Sequence, residues 1–416
     1  PFLKNRKWVD YLKLRASVGL VGNDHLGNNR FLYLPDSYNV NLSGVDGWNN
    51  NKYGFNFGAD GKGYIKGALE NRLGNPMVTW EKALKQNYGV DVHFLKSRLK
   101  MSFDYFREDR RDILINRRTI PLLTGLTSGV LPAINMGKVK NQGYEIEVKW
   151  SDKVRDWRYQ INANMSYSKN KIVFQDEVEP NYPYMWRTGN PVGMLFGYQA
   201  CGFYLPEDFD ANGKLLEGMP DPKVAVKPGD IKYKDLNDDK SITSDDQSII
   251  GHPIRPAYTF GLNCQVDYKG FFFTMNWTGT AQRSLLLNGA FREPFGNGKI
   301  RGLMQFHADT RWTPETAGTA TTPRFTETNA VYNMRNSSLW VRDASYLKLK
   351  NMTIGYNFTD KKLLKKLGIQ QLGVQLTGYN LLTFDKFDIM DPEASPDNAD
   401  SYPIIKIYNV GINLTF

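Results

Sequence analysis

Apolar and polar residues alternate one by one through ten separate stretches of this chain, and a period of two leaves few folds open. An extended strand turns successive side chains to opposite faces, so each stretch has one apolar and one polar face. In the last of them Tyr408, Val410, Ile412, Leu414 and Phe416 alternate with Asn409, Gly411, Asn413 and Thr415. In the first, Leu12, Leu14, Ala16, Val18 and Leu20 interleave with Lys13, Arg15, Ser17 and Gly19. The cleanest runs from Trp157 to Tyr167, and others centre on 88–94, 99–105, 144–150, 260–268, 271–277, 346–358 and 372–376. In 346–358 the start is ambiguous, because Tyr346, Lys348, Lys350 and Met352 compete with Leu347, Leu349, Asn351 and Thr353 for the apolar face.

The connections sort by length. Long ones at 21–77, 108–141, 169–256, 278–343 and 380–403 alternate with short ones, the weak strand-like piece at 193–204 being counted inside the third. Long loops on one side and tight turns on the other, with an even number of strands, are the rule of transmembrane β-barrels. A soluble sandwich has no reason to sort its connections this way. The expected fold is therefore all-β, a transmembrane antiparallel barrel wall, with the first strand running outward and Phe416 returned to the periplasmic side.

Composition agrees with strands and turns: 23 Tyr, 23 Phe, 9 Trp and 37 Gly among 416 residues. No run of about 18 apolar residues offers a helical membrane span. The net charge of +10 is spread along the chain, without the basic helix or arm that marks a nucleic-acid binder. Cys201 and Cys264 make neither a zinc spacing nor a disulfide framework. Pro1 replaces an initiator Met and no signal peptide follows, so the chain is expected to be a piece whose earlier part lies elsewhere.

One local motif carries metal chemistry. In Asp235-Leu236-Asn237-Asp238-Asp239-Lys240-Ser241, closed by Asp246 at position 12, side-chain oxygens at Asp235, Asn237, Asp239 and Asp246 and the Ser241 carbonyl fall where an EF-hand-type loop holds calcium. Lys240 at the usual Gly position and Asp246 in place of Glu depart from it, and a solvated acidic turn is the other reading. No organic cofactor is implied. Catalysis has no support: His25, His93, His252 and His307 are isolated, and Glu145 and Glu147 lie on the polar face of a strand. Trp48, Tyr53, Phe55, Phe57, Tyr184, Trp186, Tyr204, Phe306 and Trp312 populate the long loops, as substrate contacts or as loop packing. Trp150 and Trp157 flank a turn and read as part of an interfacial aromatic girdle.

Several segments, taken in order, resemble one family. They are Asn141-Gln142-Gly143-Tyr144-Glu145-Ile146-Glu147, Gly229-Asp230-Ile231-Lys232-Tyr233-Lys234-Asp235-Leu236-Asn237, Ile250-Gly251 before Pro253, and Tyr346-Leu347-Lys348-Leu349-Lys350-Asn351. Tyr379-Asn380-Leu381-Leu382-Thr383, Asp391-Pro392-Glu393 and Asn413-Leu414-Thr415-Phe416 complete the set. The chain resembles the carboxy-terminal barrel part of SusC/RagA-type TonB-dependent outer-membrane transporters. That resemblance implies about ten strands of a plugged barrel of about 22 strands, residues 1–416 forming the carboxy-terminal part of one barrel domain. It also implies residence in the outer membrane of a Gram-negative bacterium, energy from TonB through the missing amino-terminal part, and a SusD-like lipoprotein lid. The cargo would be a glycan or peptide oligomer, with no enzymatic step and with the contacting residues left open. A passive porin-like channel and a soluble carbohydrate-binding β-protein are the alternatives.

Overall fold

The computed structural model describes residues 8–24, 31–34, 38–39, 54–57, 63–66, 69–70, 73–121, 123, 131–295, 302–326, 330–358, 364, 366, 368–387, 389–394 and 402–416. Ten strands form one sheet in which each pairs antiparallel with its successor in sequence. They are β1 (Val9–Asn23), β2 (Glu81–Phe94), β3 (Leu99–Ile115), β4 (Ile134–Val154) and β5 (Trp157–Phe174). After them come β6 (Tyr258–Tyr268), β7 (Phe271–Ala281), β8 (Tyr346–Asn357), β9 (Gln371–Asp385) and β10 (Ile407–Thr415). All ten stretches with alternating side chains are strands of this sheet, and no described helix is long and apolar enough to cross a membrane.

The strands overrun the ends that alternation predicts. The connection expected at 108–141 shrinks, because β3 continues to Ile115 and β4 begins at Ile134, and β5 runs on to Phe174. The turn expected at 151–156 reduces in the same way to Arg155 and Asp156. At 21 residues β4 is about 70 Å long, against a hydrocarbon layer of about 30 Å. In its outer part the ladder persists while the apolar alternation that betrays it does not. The piece at 193–204 does form strands, Leu195–Tyr198 and Ala200–Phe203, but they pair with Gln247–Gly251 and Ile231–Tyr233 outside the main sheet.

Local chemistry sets the tight ends. Between β6 and β7, Lys269 and Gly270 both have positive φ, 45° and 94°, the pair of values a two-residue type I′ turn demands. In β8 a bulge resolves the parity conflict. Asn276 and Trp277, adjacent on β7, face Asn351 and Leu349, which leaves Lys350 as the extra residue. Leu347 therefore shares the exposed apolar face with Ile354, seven positions later, while Tyr346 and Lys348 turn the other way and are buried.

Few apolar residues of the ten strands belong to the core. Leu14 is 77% exposed, Val410 77% and Ile354 51%, and among the described residues no second layer covers them. The buried cluster lies in the long connections: Tyr204, Ile231 and Tyr233 from the third, Leu287 and Trp340 from the fourth, and Phe387 from the fifth. One end of the sheet thus carries a folded body with its own interior. Across five strands the register also lines up Tyr88, Tyr105, Tyr144, Tyr167 and Tyr258 in a single row on the apolar face.

Candidate functional site

Opposite the apolar face, the sheet carries a polar wall on which some charges pair across strands. Arg15 on β1 reaches across two strands, with Nη1 and Nη2 donating to Asp104 at 2.9 and 2.7 Å and Nε and Nη2 to Asp91 at 3.0 Å. Ser102 donates a further 2.8 Å bond to Asp91. Gly89 lies between Arg15 and Asp104 in the ladder, and a Cβ there would stand 2.8 Å from the guanidinium carbon, so only glycine leaves room for this crossing. Farther along, Asn276 donates to Asn263, and Thr353 and Thr377 hydroxyls meet at 3.0 Å. Glu145 and Glu147 face Asp104 and Ser102 on one side and Ser166 and Asn164 on the other.

At the long-connection end, two ionic joints tie separate connections together. Asp230, 2% exposed, accepts from Asn333 Nδ2 at 2.8 Å and from Arg324 Nη2 at 3.1 Å, joining the third connection to the fourth. Gly229 before it has φ +89°, and a Cβ would press within 2.4 Å of Trp312. The second joint is Lys348, 1% exposed, whose Nζ donates to both oxygens of Asp391 at 2.5 and 2.6 Å and to Glu393 at 2.8 Å. Lys350 and the Tyr346 hydroxyl also donate to Glu393, and Arg283 holds the Pro392 carbonyl. Burial pushes the Glu393 carboxyl up, but the hydrogen bonds from Lys348, Lys350 and Tyr346 outweigh it and hold the group down at about 2. Sequence reasoning missed both joints. Their residues stood in segments that carry the family resemblance, and lysine on an apolar parity at 348 and 350 was a further trace of the second.

The acidic loop is a folded turn. Asp235 Oδ2 accepts from Lys240 N at 2.8 Å, Asn237 Oδ1 from Asp239 N at 3.2 Å, and Asp239 Oδ1 from Ser241 N at 2.8 Å. Lys240 adopts φ +59°, the left-handed conformation for which glycine is usual, and Asp238 does the same. Asp246 is fully buried and accepts from Leu236 N and Thr243 N at 2.8 and 2.7 Å, capping the short turn Ser244–Asp246. Among the described residues no three His, Cys, Asp or Glu side chains form a ready metal cluster. The residues fit a cation at one atom: Asp235 Oδ1 is buried and has no donor. Beside the loop, burial and then the charge of Asp246 push the Tyr184 hydroxyl up to about 12.

Among the described loop aromatics, most turn out to be packing. Tyr204 and Trp312 are buried, at 1% and 6% exposure, and Phe306 packs against the buried cluster. Tyr184 stacks on Tyr182 and donates to the Asp245 carbonyl, and Trp186 is half-buried. Trp48 and Tyr53 lie outside the described residues, as do the side chains of Phe55 and Phe57. Trp157 stacks on Tyr268 with centroids 4.2 Å apart at the tight-turn end, and Trp150 pairs with Leu99 and Ile161. Cys264 sits opposite Met275 and Ile161 as a small apolar side chain, and Cys201 is exposed. His25 lies outside the described residues, His93 stacks on Tyr11, and His307 is buried with Nε2 on the Phe291 carbonyl.

The geometry now has a counterpart among known proteins. Residues 7–381 match the family model described as TonB dependent receptor-like, beta-barrel. The chain belongs to that family. Over its whole length this TonB-dependent receptor barrel is 27% identical to TonB-dependent receptor P3 of Formosa agariphila, covering 40% of that relative, and 26% identical to TonB-dependent receptor SusC of Bacteroides thetaiotaomicron, covering 38%. It spans about two fifths of the relatives it matches. In fold it is similar to the RagAB peptide transporter, with a TM-score of 0.71 at 21% identity, covering all of this chain and 42% of that one.

Proposed function

We propose that this barrel piece forms part of an outer-membrane importer that admits glycan or peptide oligomers, energised through TonB and closed outside by a SusD-like lipoprotein. The observation that carries this is the pairing of an uncovered apolar face with a charged polar face on one ten-stranded sheet. Such a sheet separates lipid from water, and its two open edges, β1 and β10, call for further strands to complete a barrel. Residues 1–416 then form the carboxy-terminal part of one barrel domain, with Phe416 at the periplasmic side. The SusC relative and the RagAB fold support import with a lid, and the folded body of long connections offers that lid a seat. No residue here performs chemistry on the cargo.

The test uses the full-length protein in its own cells. Uptake of labelled oligosaccharides and oligopeptides should fall to background when the gene is deleted and when TonB is inactivated. Uptake that persists without TonB would make it a passive channel, and a protein recovered without detergent from the soluble fraction would end the membrane reading.

The acidic loop is proposed to hold one calcium ion that stiffens the body, through Asp235, Asn237, Asp239, Asp246 and the Ser241 carbonyl. Its support is the unpartnered Asp235 Oδ1 and the left-handed Lys240. Calorimetric titration should give binding that Asp239→Ala loses, and equal heats for both proteins would remove the proposal.

A further inference from the structure

Directly beyond the tyrosine row, on the same face, the side chains change from apolar to basic within two steps of the ladder. The first step reads Gln86, Arg107, Gln142 and Lys169 across β2 to β5, and the second reads Leu84, Asp109, Lys140 and Lys171. Lys138 stands one step further on β4 and, like Lys140, Lys169 and Lys171, is exposed. Asp109 is the acid in these two steps, engaged by Arg107 at 3.0 Å and 3.9 Å from Lys140. Among the described residues, Lys138, Lys169 and Lys171 have no carboxylate within ion-pair reach. Between the strands lies a depression of about 250 Å³, lined by Leu84, Arg107, Asp109, Arg111, Lys138, Lys140 and Val173, with Lys169 and Lys171 on the neighbouring strand beside it.

We propose that this depression binds the phosphate-bearing headgroup of a lipid in the outer leaflet of the outer membrane. The inference rests on the proposed membrane placement, which makes the apolar face the lipid-facing one. Tyrosine rings sit at the boundary between hydrocarbon and headgroups, so a row of five fixes the height of that boundary on β2 to β6. The lysines stand just outside it, where lipid phosphates lie. Each basic residue close to an anionic lipid surface strengthens attachment about fivefold. Leu84 and Val173 at the same depression give an acyl chain a surface that a free phosphate ion would not use. A solute crossing along the polar wall never meets this face, which separates the site from any cargo path.

The test is made on the full-length protein extracted from its own outer membrane in mild detergent, with retained lipid phosphorus measured per mole of protein. The variant Lys138→Gln/Lys140→Gln/Lys169→Gln/Lys171→Gln should retain little of the wild-type lipid, because losing four basic residues at about fivefold each weakens attachment about 600-fold. Lys100→Gln/Lys149→Gln, a facing pair on the polar wall, should retain the wild-type amount. Three arms on the wild type decide the matter even if the fourfold variant fails to assemble. Rising salt should strip the lipid, enzymatically dephosphorylated lipid should not be retained, and inorganic phosphate should not displace it. Retention that ignores salt or phosphorylation overturns the proposal, and full displacement by inorganic phosphate makes it a site for the free ion. Failure of the membrane reading is separate: the protein would then leave cells without detergent, before any lipid is counted.

Discussion

Lys348 is the side chain whose environment says most. An ammonium that is 1% exposed survives only because Asp391 and Glu393 surround it. Removing one member of such a buried set typically costs about 3–5 kcal/mol, since the charges left behind have no partner. Lys348→Met should therefore release the fifth connection, raising amide hydrogen exchange around Phe387 and Asp391 while the β1–β5 ladder keeps its protection. The same joint has a pH signature. Glu393 is held at about 2 against an ordinary 4.5, so its stabilisation is complete above about 4.5 and is lost as pH falls toward 2. Limited proteolysis of the fifth connection should accelerate across that window and in no higher one. The sequence reveals Lys348 only as a charge on the wrong parity, because its partners stand 43 and 45 residues away.

At the scale of the strand, the bulge at Lys350 lets one continuous β8 present Leu347 and Ile354 to the same side. Deleting Lys350 restores strict alternation and forces a choice. Either Leu347 turns to the polar wall, or Met352, Ile354 and Tyr356 do. Assembled barrel, read as the heat-modifiable band of the full-length protein, should fall sharply for this deletion. It should fall far less for Lys350→Ala, which keeps the residue count. Alternation located every strand but misjudged where several end, as in β3, β4 and β5. Hydrogen bonds between backbones continue past the point at which one face stops being apolar, and nothing in side-chain polarity records that.

For the whole molecule, the decisive property is a face that no other part of the described chain covers. At the middle of β6, Leu262 belongs to that face and Asn263 to the polar wall. Leu262→Arg should cost about 2–4 kcal/mol in assembly of the full-length barrel, the cost of a cation at mid-depth in lipid, whereas Asn263→Arg should be tolerated. Equal effects of the two would place both faces in the same medium. Period-two patterning and the sorting of connections by length were sufficient to determine an all-β wall with ten antiparallel strands, because each depends only on the order of neighbouring residues. The tertiary structure alone decided that the long connections share one core, that Lys348 and Asp230 bind them together, and that five tyrosines from five strands form one row. Those facts depend on register and on contacts between distant segments, and a linear chain does not carry distance.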